Sequence, residues 1–337
     1  MAEEKYKAKY FTHDQIRTQG AIGSLNEGPV IKIHGIETRL IAWPGNGYQT
    51  ESVHVLTLKA REESSRYTYS LAEEVLLCAA GKGEVFLLGR WVTMEPGDVA
   101  YFPEGVEHAA RNAAENKEPF VLVSQITPPQ FDLYAEAGFY NVSMGVMNFD
   151  ACFHAGLNAP VGALKAPLAL KYRETESNVR AWNRTPADIR REGALFNVFM
   201  GASFEALGIP ARFIIWPGAG SRLGGFNFAF SPDPVPDFIH THPVSDECLI
   251  LWAGQGRVYT GKEWMDAETL DCVLAPCGVI HGHLGSSGGT FWGGFASPPQ
   301  IDLMVKTPYY RDGVISPGPF KQLEYPDSPA MQKLFRP

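Results

Sequence analysis

No apolar stretch in this chain of 337 residues approaches the roughly 20 residues that a bilayer-crossing helix needs. A membrane-bound role is therefore not expected. The opening residues, Met1-Ala2-Glu3-Glu4-Lys5-Tyr6-Lys7, are charged and lack the apolar segment of a secretory signal. Cysteine is sparse: Cys78, Cys152, Cys248, Cys272 and Cys277 are odd in number and form no CxxC pair. This argues against a disulfide framework and fits a reducing, cytoplasmic setting. No Lys/Arg run occurs, and the formal net charge of −8 argues against nucleic acid as a partner.

What the chain does have is turn-forming residues, 34 Gly and 25 Pro, in a sequence that is 45% hydrophobic. Many turns and enough apolar material for two cores are expected. The chain also repeats itself. Gly35-Ile36-Glu37-Thr38-Arg39-Leu40-Ile41-Ala42-Trp43-Pro44-Gly45-Asn46-Gly47 returns as Gly208-Ile209-Pro210-Ala211-Arg212-Phe213-Ile214-Ile215-Trp216-Pro217-Gly218-Ala219-Gly220, an offset of 173. The same offset carries Glu74 onto Glu247, Gly81 onto Gly254, Pro103 onto Pro276 and His108 onto His281. Pro128-Pro129-Gln130-Phe131-Asp132-Leu133 recurs as Pro298-Pro299-Gln300-Ile301-Asp302-Leu303 at offset 170, so one copy has lost three residues. A register shared over this length marks a duplicated domain.

Each copy reads as short strands closed by turns: Leu40-Ile41-Ala42-Trp43 before Pro-Gly, then Val53–Leu58, Val75–Cys78, Gly83–Leu88 and Val99–Pro103. The expected class is mainly β, two tandem jelly-roll barrels joined by a partly helical linker. Expected boundaries are an arm over 1–34, a first barrel over 35–140, a linker over 141–207, a second barrel over 208–310 and a tail over 311–337. The arm is expected to pack on the other domain or on a partner subunit, and a homo-oligomer is the expected assembly. In the linker, Thr185-Pro186-Ala187-Asp188 is a helix start and Gly193 a helix stop.

Four of the nine histidines fall between 240 and 283. In an extended strand, residues two apart share a face, so His240 and His242 point the same way. Glu247 can meet them after a turn, and His281 from a neighbouring strand. Three imidazoles and one carboxylate suit a divalent transition metal and leave coordination positions open. An HxH pair alone is better explained by ordinary histidines; four ligands in register with a duplicated barrel reverse that and favour a metal.

The spacing His240-x-His242-x4-Glu247-x6-Gly254, followed by Pro276-x-Gly278-x2-His281, resembles the two signature motifs of the cupin superfamily. Two positions depart from the pattern: Leu270 stands for its glycine and Gly285 for its asparagine. Neither is a ligand. The resemblance implies a bicupin similar to quercetin dioxygenase-like and germin-type metal cupins, with a 3-His-1-Glu site at His240, His242, Glu247 and His281. One ion per chain is expected, Fe(II) first, with Mn(II), Ni(II), Cu(II) or Zn(II) as alternatives.

In the first copy the histidines of the motif become Tyr67 and Tyr69, while Glu74 and His108 remain. Two ligands hold an ion poorly, so that barrel is expected to keep its fold without a metal. Further expectations concern the second barrel. His283 and Glu247 are candidate catalytic groups, and Phe228, Trp252, Trp292 and Arg212 are candidates for the substrate pocket. The expected activity is that of a dioxygenase acting with O2 on a small enolic or aromatic (catechol- or flavonoid-like) substrate. The alternatives are a manganese decarboxylase, an isomerase, a ureidoglycine aminohydrolase-type hydrolase, or a non-catalytic binding bicupin.

Overall fold

In the computed structural model, which describes residues 6–113, 115–206, 209–231, 239–261, 263–316, 318 and 320–322, the apolar runs of both copies form antiparallel strands. Helix α1 (His13–Gln19) and strand β1 (Ala21–Ser24) come first. They lead into β2 (Val30–Ile33), β3 (Ile36–Ala42), β4 (Ser52–Leu58), β5 (Glu73–Ala80) and β6 (Gly83–Leu87). The first copy then continues through β7 (Arg90–Met94), β8 (Asp98–Phe102), β9 (Ala110–Arg111) and β10 (Phe120–Thr127). The hairpin β11 (Tyr140–Asn141) and β12 (Val146–Met147) leads to α2 (Phe149–Leu157) and α3 (Pro186–Glu192). The second copy contains β13 (Ala194–Asn197), β14 (Met200–Ala206), β15 (Ile209–Ile215), β16 (Gly225–Ser231) and β17 (Ile239–His240). It continues with β18 (Asp246–Thr260), β19 (Glu263–Glu268), β20 (Asp271–Ala275) and β21 (His281–Ser297). After α4 (Ile301–Met304) come β22 (Tyr310–Arg311), β23 (Val314–Ile315) and β24 (Phe320–Gln322). The first five residues of the expected arm, and residues 317, 319 and 323–337 of the expected tail, lie outside the described residues.

One sheet runs β13-β8-β5-β10-β4-β3-β2, and the other runs β1-β20-β18-β21-β16-β15-β14-β24. Each therefore begins with a strand from ahead of the opposite copy. Ala21 of β1 pairs with Leu274 of β20, and Ala194 of β13 pairs with Tyr101 of β8. The two pairings are related by the repeat, as are the helices before them. Thr12 caps α1 by accepting the Gln15 N–H, and Thr185 caps α3 by accepting the Asp188 N–H. Gly20 and Gly193 end these helices at φ 71° and 80°, where a side chain would be strained.

Strand alternation sorts the side chains into three layers. Leu56, Leu76, Phe102 and Leu122 fill the first barrel. Leu249, Leu251, Val273 and Trp292 fill the second. Val55, Val75, Tyr101 and Val123 meet Phe226, Phe228, Ile250 and Trp252 in the layer between them. Burying each such side chain is worth about 1.5–3 kcal/mol, so the register of β18 is held firmly: odd positions from Glu247 to Leu251 face the barrel interior, and even positions face the other barrel. Among the described residues, no helix is long and apolar enough to cross a membrane.

Candidate metal centre

Three elements bring the histidines to the interior face of β18. His281 opens β21 and lies in register opposite His240 of β17. His242 follows in the turn before β18. One donor atom from each of His240, His242, Glu247 and His281 can be chosen so that all lie within 4.8 Å of one another. His281 Nε2 is 2.8 Å from Glu247 Oε2, and His242 Nε2 is 3.3 Å from the same oxygen. His240 Nε2 stands 3.2 Å from His242 Nε2.

The outer nitrogens fix the tautomers. His281 Nδ1 faces the Val279 carbonyl at 2.9 Å, and His242 Nδ1 faces Asp302 Oδ2 at 3.1 Å. Both partners only accept, so each Nδ1 carries a proton and each Nε2 faces the centre, as an N–H toward Glu247 or, once that proton is lost, as a ligand. At 2.8 Å His281 Nε2 and Glu247 Oε2 can share a proton, and a divalent ion can take that proton's place. The donor set therefore fits a divalent metal ion.

Burial opposes the charge of Glu247, yet His242 and His281 hold its carboxyl well below the usual carboxylate range. Burial alone would depress His242, but Glu247 and Asp302 push it up to about 10. Burial and the neighbouring His281 push His240 down to about 2. Asp302 is held low by His242 against its own partial burial.

Gln300 supports the ligands from outside. Its Nε2 donates to Glu247 Oε1 and stands 3.0 Å from His242 Nε2, while its Oε1 accepts from Asn227 Nδ2 at 2.9 Å. Gly294 makes room: a Cβ there would lie 2.8 Å from Glu247 Oε1. Gln300, Asp302, Asn227 and Gly294 are missing from the sequence-based site. The recurring Pro-Pro-Gln-x-Asp-Leu block carried a signal for the first two.

A cavity of about 40 Å³ borders the cluster. Phe204, Leu249, Trp292 and Leu303 give it apolar walls, and Asn227, Gln300 and His283 give it polar ones. Trp292 and His283 both line it. Burial pushes His283 down to about 4, so its imidazole is neutral at pH 7. Phe228, Trp252 and Arg212 do not line the cavity. Phe228 and Trp252 pack 5.7 Å apart in the layer between the barrels, on the face of their strands that points away from the cluster. Arg212 lies in register opposite Phe228 and shares that face, whereas the Ala211–Ala229 pair beside it borders the cavity.

In the first barrel the equivalent cluster is filled by side chains. Tyr67 donates to Glu74 Oε2 at 2.9 Å, His108 Nε2 reaches the same oxygen at 2.7 Å, and Ser124 donates to Oε1 at 2.6 Å. The Tyr69 hydroxyl bonds His34 Nε2 at 2.8 Å. Burial and Glu74 push the Tyr67 phenol well above its usual range, so it stays a proton donor.

The family model "Cupin domain" matches residues 54–124, within the first barrel. No curated protein matches the sequence. Protein Ylba from E. coli is similar in structure at TM-score 0.56 and 11% identity, over 83% of this chain and 91% of that one. Procruciferin, an 11S globulin from Brassica napus, is similar at TM-score 0.52 and 11% identity, over 85% of each chain. A mutant of Bacillus subtilis oxalate decarboxylase OxdC is similar at TM-score 0.50 and 14% identity, over 81% of this chain and 76% of that one. The family match in the first barrel and the duplicated architecture together give the chain the fold of two tandem cupin barrels. At such identities the structural likenesses concern the fold alone.

Proposed function

We propose that this bicupin is a metal-dependent enzyme that oxidises a small enolic substrate with O2 at a single site in the second barrel. The observation that carries the reading is the convergence of His240, His242, Glu247 and His281 beside a cavity. An ion held there supplies Lewis-acid polarisation and a template for substrate and oxygen. Fe(II) is the preferred ion, and Mn(II), Ni(II), Cu(II) and Zn(II) suit the same donors.

The chain's own groups take the remaining roles. His283, neutral on the cavity wall, accepts the proton of the enol hydroxyl. Gln300 engages Glu247 Oε1, which leaves the base role to His283 rather than to Glu247. Asn227 and Gln300 orient the substrate's oxygens, and Trp292, Leu249 and Leu303 keep water out.

The likeness to oxalate decarboxylase makes decarboxylation the second reading. Oxygen-electrode assays with small enediols, catechol and oxalate separate the two. Net oxygen uptake with an enediol is expected. Carbon dioxide release from oxalate without net oxygen uptake would overturn the dioxygenase reading.

A further inference from the structure

The first barrel grips the backbone of the glutamate in the second barrel's cluster. Tyr48, 1% exposed, reaches across the layer between the barrels. Its hydroxyl donates to the Glu247 carbonyl at 2.6 Å and accepts the Ala275 N–H at 3.0 Å. Glu247 and Ala275 are register partners in the β18–β20 ladder, so the phenol bridges the ladder at the cluster itself. The next residues along the first barrel hold the position before Glu247. Asp246 Oδ2 accepts the N–H groups of Gln49 and Thr50, both at 2.7 Å, and the Thr50 hydroxyl at 2.8 Å. Asp246 Oδ1 accepts the Cys277 N–H at 2.8 Å, which ties in the turn that leads to His281.

The duplicate contact in the other direction is built differently. Glu73, the counterpart of Asp246, accepts the Ser221 hydroxyl and the N–H groups of Arg222, Leu223 and Gly224. Ser221 stands where Tyr48 would be, and its hydroxyl bonds Glu73 and the Gly224 carbonyl, leaving the Glu74 backbone alone. Docking of the barrels alone is served by the acidic residue and the turn, which both directions share. The phenol on the ligand residue's own carbonyl exists only on the side with the complete His/Glu cluster.

We propose that Tyr48 is a positioning residue for the metal centre: the first barrel sets the height of Glu247 in β18, and with it the affinity and geometry of the bound ion. This rests on the metal reading given above. A hydroxyl that orients a ligand from outside is worth roughly 10–100-fold in metal affinity.

The test uses the full-length chain and its Tyr48→Phe variant, which keeps the ring in the core. Co2+ is the probe, read by its visible ligand-field spectrum and by competition with a chelator. The variant is expected to bind Co2+ about 10–100-fold more weakly, with an altered spectrum. Tyr101→Phe, which removes a buried phenol hydrogen bond to Glu73 within the first barrel, is expected to change neither. Should Tyr48→Phe not fold, Thr50→Val gives the same readout through Asp246 and is expected to weaken Co2+ binding. A lower melting temperature with unchanged affinity and spectrum overturns the positioning role and leaves Tyr48 as packing. A wild-type chain that takes up no Co2+ overturns the metal reading, and this inference with it.

Discussion

The Tyr67 hydroxyl sits on Glu74 Oε2 at 2.9 Å, the oxygen that His108 Nε2 reaches at 2.7 Å. At the equivalent place in the second barrel, His240 and His281 surround Glu247. The first barrel therefore retains two ligands in register, with a phenol where the third would be. Replacing both Tyr67 and Tyr69 by His supplies the missing imidazoles. The double variant should hold about two ions per chain where the parent holds about one, by elemental analysis after reconstitution. A ratio that stays near one would mean that more than the tyrosines closes this site.

Asp302 keeps the proton on His242 Nδ1 and aims Nε2 at the cluster. Its side chain is partly exposed and lies outside the barrel cores, so its loss should barely change folding. Asp302→Ala is expected to weaken metal affinity by roughly 10–100-fold. The metal-free protein should melt within a few degrees of the parent. Calorimetric titration with the metal checks the first point and thermal melting the second.

Asp98 and Asp271 occupy the same position in the two copies and meet opposite surroundings. Asp98 is fully buried between Arg180 at 2.8 Å and Arg173 at 2.6 Å. Asp98→Asn leaves a buried guanidinium without its partner and should cost about 3–5 kcal/mol in denaturant unfolding. Asp271 accepts the Glu268 N–H at 2.9 Å, and burial pushes its carboxyl up to about 6. Between the ordinary aspartate value and about 6, the folded state binds more protons than the unfolded one. Its contribution to stability therefore falls as pH rises through that window and is flat above it. Asp271→Asn should remove this slope, and unfolding midpoints at pH 4.5 and pH 7 compare the two chains.

The barrels were legible in the sequence because the repeat shares one register, and the four clustered donors because their spacing is carried by local strands. Packing of the arm on the other domain was among the expectations, but the strand pairing of β1 and β13 with the opposite copies was not, since a four-residue strand says little about which distant edge it will join. Phe228, Trp252 and Arg212 read as pocket residues because they lie near the motif strands. Which face they occupy follows from register, and a shift of one residue reverses it. Gln300 and Asp302 lie 53 and 55 positions beyond Glu247, in a block whose recurrence was visible but whose contact with the cluster was not. Tyr48 carried no signal, because its partner is a backbone carbonyl in the other barrel.

The central claim is one metal site, in the second barrel, and metal content per chain tests it most directly. Protein purified without chelators or oxygen should carry about one transition-metal ion per chain by elemental analysis, and its His242→Ala variant almost none. Parent protein that stays empty after reconstitution, or a variant that keeps the parent's metal, would contradict the account.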